Sequence, residues 1–241
     1  MIHQRAQILP SEKIALVTGG TGALGSAVAG RLSSQGARVT ATYLHERALA
    51  RIPDALKDKV TFVKADVTNE SEVKALYDGI VSASSHIDIV VNTVGGFLPR
   101  KPLTDVTVEE WDLMMNINLK STFLSTREAL RRMRGQAYGR IVNISAMVGL
   151  SPSPGRAPYA ISKAGVSLLT DLSAQEVKGS GITINAIAPS IIATESNIES
   201  MPREDSSKWV TPDQIADLVC YLCSPAGGSI TGTTVKAYGG V

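Results

Sequence analysis

Apolar and polar positions follow two rhythms along the chain: short β-branched runs, and longer stretches whose apolar positions repeat with a helical period. Several of the short runs are apolar almost throughout, which is typical of parallel strands covered on both faces. The predicted strands cover 14–18, 38–42, 60–64, 87–92, 140–145, 182–187 and 234–238. The predicted helices cover 23–35, 70–84, 108–134, 158–178 and 211–224. This alternation predicts an α/β fold, a Rossmann-type doubly wound parallel sheet of about seven strands with helices on both faces.

The pattern contains no linker, internal repeat or low-complexity stretch that would divide the chain. Residues 1–241 are therefore predicted to form a single domain, with residues 1–12 as a flexible N-terminal tail. One segment departs from the pattern, the polar and irregular stretch from Ile191 to Val210. Ligands of such folds bind outside the carboxyl ends of the strands, so this segment either covers that crevice or forms an ordinary surface connection.

Charge and composition exclude several functions. Lys and Arg number 24 against 22 Asp and Glu, and no basic cluster stands out, so no nucleic-acid partner is expected. No apolar run is long enough for a membrane span or a signal peptide, and we expect a cytoplasmic protein without a membrane partner. Cys220 and Cys223 share one face of a predicted helix, which favours buried apolar side chains over a redox pair. The scattered histidines His3, His45 and His86 predict no metal site.

A glycine-rich turn follows the first predicted strand directly, with the sequence TGGTGALG from Thr18 to Gly25. It matches G-x-G-x-x-G between a strand and a helix, where the backbone must approach a pyrophosphate without obstruction by a Cβ atom. The helix that follows offers free N–H groups and the positive end of its dipole. The turn therefore predicts a dinucleotide site, with a merely tight turn as the alternative. The expected cofactor contacts here are Gly19, Thr21, Gly22, Leu24 and Gly25.

Two later strand ends provide candidate contacts for the same dinucleotide. Asp66, at the end of the third strand, is placed to meet the edge of an adenine ring, and its alternative role is a helix or turn cap. Asn92 ends the fourth strand and begins the sequence NTVG. A dinucleotide would cross the sheet at this point, and the alternative is an ordinary strand-to-loop turn.

Tyr159 and Lys163 lie four positions apart at the start of a predicted helix, and therefore on one face of it. A phenol with a pKa near ~10 is a poor acid or base at neutral pH, but a neighbouring ammonium group favours the phenolate and lowers that pKa. Such a pair is frequent on solvated helices. In a chain with a dinucleotide turn, it predicts general acid–base chemistry.

With these motifs the chain resembles the short-chain dehydrogenase/reductase family from about Lys13 to Val241. The matching pieces follow the family's order and read TGGTGALG, ADV, NTVGG, MNINLKS, GRIVNIS, YAISKAG, INAIAPSIIAT and ITGTTVKAYGG. The resemblance implies a seven-stranded parallel sheet, a nicotinamide cofactor and usually a homotetramer.

The same resemblance implies roles for individual residues. Tyr159 corresponds to the catalytic acid/base, Lys163 to the residue that binds the nicotinamide ribose and lowers the pKa of the tyrosine, and Asn118 to the anchor of a proton-relay water. Cofactor contacts at the adenine, along the sheet edge and near the nicotinamide are implied for Asp66, Val67, Asn92, Gly95, Tyr159, Lys163, Ile192 and Thr194.

The family's catalytic serine is absent at its expected place. Counting back from Tyr159, with Gly149 in register, puts Ala146 there. Ser145 is adjacent, but neighbouring strand residues point to opposite faces, so its hydroxyl is not expected to substitute. Losing one oxyanion donor typically costs about 10²–10³ in rate, which an electron-poor substrate would feel less. This favours a second resemblance, to dihydropteridine reductases, which lack this serine and share a turn like GGTGALG and a stretch like Asn197–Trp209.

The end of the second predicted strand bears on the choice of dinucleotide. An acid there would bind the ribose 2′-hydroxyl of NAD and repel the 2′-phosphate of NADP. Residues Thr42 to His45 include no acid and Arg47 is near, so NADP is favoured, with NAD possible if Glu46 takes that place. Tyr43 is expected to pack on the adenine.

Three functions compete. The leading hypothesis is an NAD(P)(H)-dependent oxidoreductase that moves a hydride between nicotinamide and a carbonyl or alcohol, with Tyr159 handling the proton. The second is reduction of a quinonoid dihydropteridine or a similar activated C=N, motivated by Ala146. The third is a nucleotide-binding protein without catalysis, against which the intact Tyr159, Lys163 and Asn118 speak. The expected partners are a small-molecule substrate and other copies of the chain, as a tetramer or dimer.

Overall fold

The seven apolar runs all become strands of one parallel sheet in the computed structural model, which describes residues 8–10 and 12–241. The predicted fold class is confirmed. The strands are β1 (Ile14–Thr18), β2 (Arg38–Tyr43), β3 (Val60–Lys64), β4 (Ile89–Asn92), β5 (Gly139–Ile144), β6 (Ile182–Pro189) and β7 (Thr234–Ala237). The α-helices are α1 (Ala23–Ser34), α2 (Glu46–Leu49), α3 (Asp54–Lys57), α4 (Glu70–Ser84), α5 (Val108–Met114), α6 (Ser121–Met133), α7 (Met147–Leu150), α8 (Ala157–Glu176), α9 (Glu195–Ser200) and α10 (Pro212–Cys223). A π-helical turn and three 3₁₀ turns span Met115–Lys120, Leu103–Asp105, Ser206–Lys208 and Ala226–Ser229.

The strand order, β3-β2-β1-β4-β5-β6-β7, reverses direction at the centre of the sheet. The chain winds outward from β1 to β3, returns to β4 beside β1, and winds outward again to β7. Thr18 at the end of β1 pairs with Asn92 at the end of β4. At such a reversal the loops diverge and leave a crevice at the carboxyl ends of the strands. The glycine turn and the segment after β4 therefore lie side by side at this crevice.

Both faces of the sheet are buried, as the apolar strand sequences predict. One face packs against α1 and α10 through residues such as Val28 and Val219. The other face packs against α4 and α6 through residues such as Tyr77 and Leu124. A rigid sheet fixed from both sides holds the strand ends, and whatever they carry, in place.

Cys220 and Cys223 are free thiols buried in α10. Burial raises the pKa of the Cys220 thiol to about 12 and raises that of Cys223 as well. The predicted apolar role is therefore confirmed, because a protonated, buried thiol is a poor nucleophile. In the described part of the chain, every helix is too short or too polar to cross a membrane.

The helix predicted over 108–134 is interrupted by the π-helical turn. Such a turn holds an extra residue and often marks a functional site. Asn118 lies in this turn and is fully buried. Its side-chain amide donates to the Gly96 carbonyl at 3.0 Å, and its side-chain oxygen accepts from the Gly96 N–H at 2.9 Å. This tertiary contact with the loop after β4 stabilises the π-helical turn. The spacing of apolar residues along 108–134 does not reveal such a contact, so the interruption was not predicted.

The polar segment Ile191–Val210 has more structure than the sequence predicts. Thr194 caps α9 by accepting a hydrogen bond from the Asn197 N–H, and Ile192 forms an isolated parallel bridge with Val210. The segment starts at the carboxyl end of β6, which is the edge of the sheet where the crevice opens.

Residues 1–7 and 11 of the predicted N-terminal tail lie outside the described residues. In the described remainder, Leu9 is buried in the core between the sheet and α1 and α10. The Ile8 N–H donates to the side-chain oxygen of Gln35 at 2.7 Å. This part of the predicted tail packs against the rest of the chain.

Candidate active site

Close backbone contacts shape the glycine turn between β1 and α1. Gly19 has a φ of +71°, and its N–H donates to Thr42 Oγ1 at 2.9 Å. The Gly20 N–H donates to the Thr42 carbonyl at 2.8 Å, which ties the turn to β2. A Cβ atom on Gly25 would lie 2.1 Å from the Gly19 carbonyl oxygen. Glycine is therefore required at position 25, because α1 starts directly against the backbone of the turn.

The first turn of α1 leaves its N–H groups open. Gly22 is the N-cap residue and has no side chain to accept from them, and the first turn carries no acidic residue. The N–H groups of Ala23, Leu24 and Gly25 are thus available to an anion, and the helix dipole adds to the attraction. The Leu24 side chain is buried, so only its backbone can contact a ligand, and Thr21 beside it is half-buried. This cradle fits the pyrophosphate of a dinucleotide.

The ends of β2 and β3 are neighbours in the sheet and carry the residues predicted at the adenine. The Tyr43 hydroxyl donates to the Glu46 carboxylate at 3.2 Å on the surface. Asp66 accepts from the N–H of Thr68 at 2.9 Å and from its hydroxyl at 2.7 Å. Asp66 therefore caps a turn, which was the alternative interpretation of this residue, while it also stands at the strand end. Val67 is buried.

Asn92 at the end of β4 is turned into the protein interior. Its side-chain amide donates to Asn143 Oδ1 at 2.8 Å and to Thr126 Oγ1 at 3.3 Å. The side chain therefore does not line the crevice as expected, and only the backbone of Asn92 is left to face a ligand. Thr93 makes the connection to the glycine turn instead, because its hydroxyl donates to the Thr18 carbonyl at 2.5 Å.

Three residues predicted from separate motifs come together in front of β4 and β5. A Cβ atom on Gly95 would lie 2.8 Å from Asn118 Oδ1 and 3.0 Å from Lys163 Nζ. The Lys163 ammonium group is buried and donates to the Ile144 carbonyl at 2.8 Å. Glycine at position 95 lets the chain pass between the amide and the ammonium group.

Tyr159 lies one helical turn before Lys163 on α8, as the spacing predicts. Its ring centroid is 6.4 Å from that of Phe97, with the rings tilted by 57°. Within residues 8–10 and 12–241 the Tyr159 hydroxyl has no hydrogen-bond partner. The hydroxyl is therefore available to a substrate.

The pKa of Tyr159 is raised, because burial of the phenol outweighs the lowering effect of the Arg156 charge. This direction is opposite to the lowering that we expected from Lys163. The ammonium group of Lys163 is directed at the Ile144 carbonyl, and its desolvation lowers its own pKa to about 8. Lys163 is thus the group of this pair that titrates nearer to neutral pH.

The register argument for the missing serine is confirmed. Ser145 is buried, and its hydroxyl donates to the Lys163 carbonyl at 2.9 Å, so it faces the backbone of α8. Ala146 belongs to a small apolar cluster that packs against Tyr159. The phenol therefore has an apolar neighbour where the family resemblance leads one to expect a hydroxyl.

Ser162 is a connecting residue that the sequence reasoning missed. Its hydroxyl accepts from the Asn118 amide at 3.0 Å and donates to the Tyr159 carbonyl at 2.8 Å. It therefore fixes the π-helical turn against the turn of α8 that carries Tyr159. The available signal was its position three residues after Tyr159, which puts both on one side of the helix.

The last predicted contacts, Ile192 and Thr194, lie after β6. The Ile192 carbonyl accepts from the Asn197 side-chain amide at 2.8 Å, and Thr194 caps α9. Both residues are half-buried and hold the start of the segment at the crevice edge of the sheet.

The order of the parallel strands reverses between β1 and β4, and an open glycine turn and a Tyr–Lys pair lie at the crevice formed there. Together these features define a nicotinamide-dependent oxidoreductase. The family model of short chain dehydrogenases matches residues 13–205. The chain belongs to the short-chain dehydrogenase/reductase family and acts on a carbonyl or the corresponding alcohol.

Relatives with assigned names cover nearly the whole chain. It is 34% identical over 242 residues to 3-oxoacyl-(acyl-carrier-protein) reductase FabG of Rickettsia bellii, covering 96% of this chain and 97% of that protein. The FabG of Haemophilus influenzae is 35% identical over 237 residues, covering 95% and 98%. Among solved structures, gox2181 superposes with a TM-score of 0.90 at 29% identity, covering 97% of each chain. A short chain dehydrogenase of Mycobacterium smegmatis superposes with a TM-score of 0.84 at 34% identity, covering 96% and 93%. These relatives do not favour the dihydropteridine reductase alternative.

Proposed function

We propose that this oxidoreductase uses NADP(H) and that Tyr159 exchanges the proton at the substrate oxygen. The observation that carries the proposal is the crevice where the strand order reverses. There the unpartnered Tyr159 hydroxyl, the buried Lys163 ammonium group and Gly95 lie at the same edge of the sheet as the glycine turn. The single-domain organisation expected from the sequence is part of the same proposal.

The residues of this chain divide the binding of the dinucleotide. The open first turn of α1 would hold the pyrophosphate, the ends of β2 and β3 would hold the adenine, and the residues in front of β4 and β5 would hold the nicotinamide. When bound, the nicotinamide supplies or accepts the hydride. We assign Lys163 to the ribose next to it, and Asn118 to holding the π-helical turn at this site. The proposed contacts are Gly19, Thr21, Gly22, Leu24, Gly25, Tyr43, Asp66, Val67, Gly95, Ile192 and Thr194, with Asn92 through its backbone.

The proton step belongs to Tyr159. In reduction, its O–H bond breaks while a new O–H bond forms on the substrate oxygen, and the phenolate then recovers a proton from solvent. Because burial raises its pKa, the phenol is protonated at neutral pH, as an acid must be. The protonated phenol is the form of Tyr159 that can donate a proton during reduction.

The names of the relatives suggest the first substrate to test, a 3-oxoacyl thioester. The apolar neighbour at Ala146 weakens the stabilisation of a developing oxyanion, and one such donor is typically worth about 10²–10³ in rate. We therefore expect activated carbonyl compounds to react faster than simple ketones.

NADP is proposed over NAD because no acid stands between Thr42 and His45 at the end of β2. Arg47 is exposed close by, while the Glu46 carboxylate accepts from the Tyr43 hydroxyl. Calorimetric titration with NADPH and with NADH tests this choice. Tighter binding of NADH would reverse it.

The proposed role of Tyr159 is tested by Tyr159→Phe, which removes the proton and keeps the ring. We expect turnover of 3-oxoacyl substrates to fall by about 10² or more, because general acid catalysis contributes about 10²–10⁴. NADPH affinity should stay within about twofold, because the cradle on α1 is untouched. A variant that keeps its activity would exclude Tyr159 as the acid.

We also propose a homo-oligomer, a tetramer or dimer, in the cytoplasm. Exposed apolar side chains support an assembly, because large apolar surface left open to water often marks an interface. They lie along α5, α6 and α8 and include Val108, Leu113, Phe123, Leu168 and Leu172. Light scattering of the purified protein tests the assembly, and cell fractionation tests the location.

A further inference from the structure

Arg156 is the N-cap residue of α8 and stands three positions before Tyr159. The two residues line one small cavity, and Lys101 and Glu110 line it as well. Within residues 8–10 and 12–241, no carboxylate pairs with the Arg156 guanidinium. An unpaired cation is thus held beside the acid/base residue that we proposed above.

The other positive charges near the Tyr159 phenol, on Lys101 and Lys163, are already engaged with other groups. The Lys101 ammonium group is 2.6 Å from the Glu110 carboxylate, so the two charges largely cancel. The Lys163 ammonium group is directed at the Ile144 carbonyl. The charge of Arg156 favours the ionised form of Tyr159, against the effect of burial.

The apolar neighbour of Tyr159 explains why this charge matters. Ala146 and the cluster around it give the phenol no hydrogen-bond donor. Negative charge that appears on the phenol oxygen therefore needs a more distant source of stabilisation. A guanidinium is suited to this because it keeps its charge at every accessible pH and acts over several ångströms.

We propose that Arg156 is a positioning residue whose permanent positive charge stabilises the Tyr159 phenolate and replaces the hydroxyl missing at position 146. This proposal rests on the proposed function for its catalytic meaning. The ionisation of Tyr159, however, is measurable without turnover.

The experiment titrates the tyrosines directly. The protein has six tyrosines, which can be labelled with ¹³C on the phenol carbon and followed by NMR as the pH rises. The Tyr159 signal is the one absent from Tyr159→Phe. We expect Arg156→Gln to raise the pKa of Tyr159 by about one unit, since an opposite charge within ∼4–6 Å typically shifts a pKa by 1–3 and solvent screens this one in part.

Two variants separate charge from structure. Arg156→Lys keeps the charge and should leave the Tyr159 titration within about 0.3 pH units of the wild type. Arg100→Gln removes an exposed cation from the loop beside Gly155 and should leave it unchanged. Should Arg156→Gln fail to fold, Arg156→Met provides a second neutral side chain that keeps the aliphatic stem.

An unchanged Tyr159 titration in a folded neutral variant overturns the proposal, and so does an equal shift in Arg100→Gln. If the enzyme reduces a carbonyl, the alkaline limb of kcat should move by the same amount as the NMR titration. A shifted titration in a protein that reduces no carbonyl would refute the proposed function and leave the role of Arg156 standing. An enzyme that reduces a carbonyl but shows an unshifted Tyr159 titration would refute the role of Arg156 and leave the proposed function standing.

Discussion

The contact between Gly25 and Gly19 allows a prediction with a worked magnitude. In Gly25→Ala, the new Cβ would lie 2.1 Å from the Gly19 carbonyl oxygen and 2.8 Å from its carbon. Both atoms are backbone, so α1 must move away from the turn by about 1 Å to relieve the clash. Overpacking of this kind costs about 1–3 kcal/mol, while the gain in helix propensity returns up to about 1 kcal/mol. We expect a net loss of about 1–2 kcal/mol in the free energy of unfolding.

The same displacement opens the pyrophosphate cradle, so NADPH should bind about tenfold more weakly or worse, which corresponds to about 1.4 kcal/mol. Urea denaturation measures the first quantity and calorimetric titration the second. Gly30→Ala is the matched control, because it lies in the middle of α1 and its Cβ would meet only Leu56 Cδ1 at 3.4 Å. That variant should bind NADPH normally and be as stable as the wild type or more so. Normal binding by Gly25→Ala would refute the assignment of this turn to the pyrophosphate.

Two further predictions concern the reacting end of the site. Ala146→Ser adds a hydroxyl beside Tyr159 and should raise kcat on a simple ketone about tenfold or more, since an oxyanion donor is worth about 10²–10³ in rate. Steady-state assays at saturating NADPH measure this effect. An unchanged rate would show that position 146 does not face the reacting oxygen. Burial lowers the pKa of Lys163 from 10.5 to about 8, so between these values the unfolded chain binds more protons than the folded chain and stability rises with pH. In urea denaturation at increasing pH, the free energy of unfolding of Lys163→Met should not show this rise. If it rises with pH as much as that of the wild type, Lys163 is not the group responsible.

Most of the fold follows from the sequence, because buried parallel strands impose a simple pattern. Each predicted strand lies within two residues of the observed one, and the largest differences are at the start of β4 and the end of β6. The residues at these ends, such as Asp88 and Pro189, are buried by tertiary contacts that an alternation of apolar residues does not encode.

The site was predictable only where chemistry depends on spacing along one element. Tyr159 and Lys163 share a helix, and Ser145 and Ala146 follow β5 directly in extended backbone, so local geometry was enough to orient them. The inward orientation of the Asn92 side chain was not predictable, because it depends on a hydrogen bond to a residue on another strand. The direction of the Tyr159 pKa was also wrong, because burial is a property of the whole packed site and exceeds the effect of a neighbouring charge.

The π-helical turn at Met115–Lys120 sets a condition on how this chain can change in length. Removing one residue from it would let α5 and α6 merge into a regular helix, at little loss of helical hydrogen bonding. The π turn holds its extra residue within one widened turn, so α5 and α6 would keep the faces that they bury, and only side chains within the turn would change direction. The Asn118 amide would turn away from Gly96 and Ser162, and the links between three segments of the site would be lost together. A deletion harmless to folding would therefore dismantle the site.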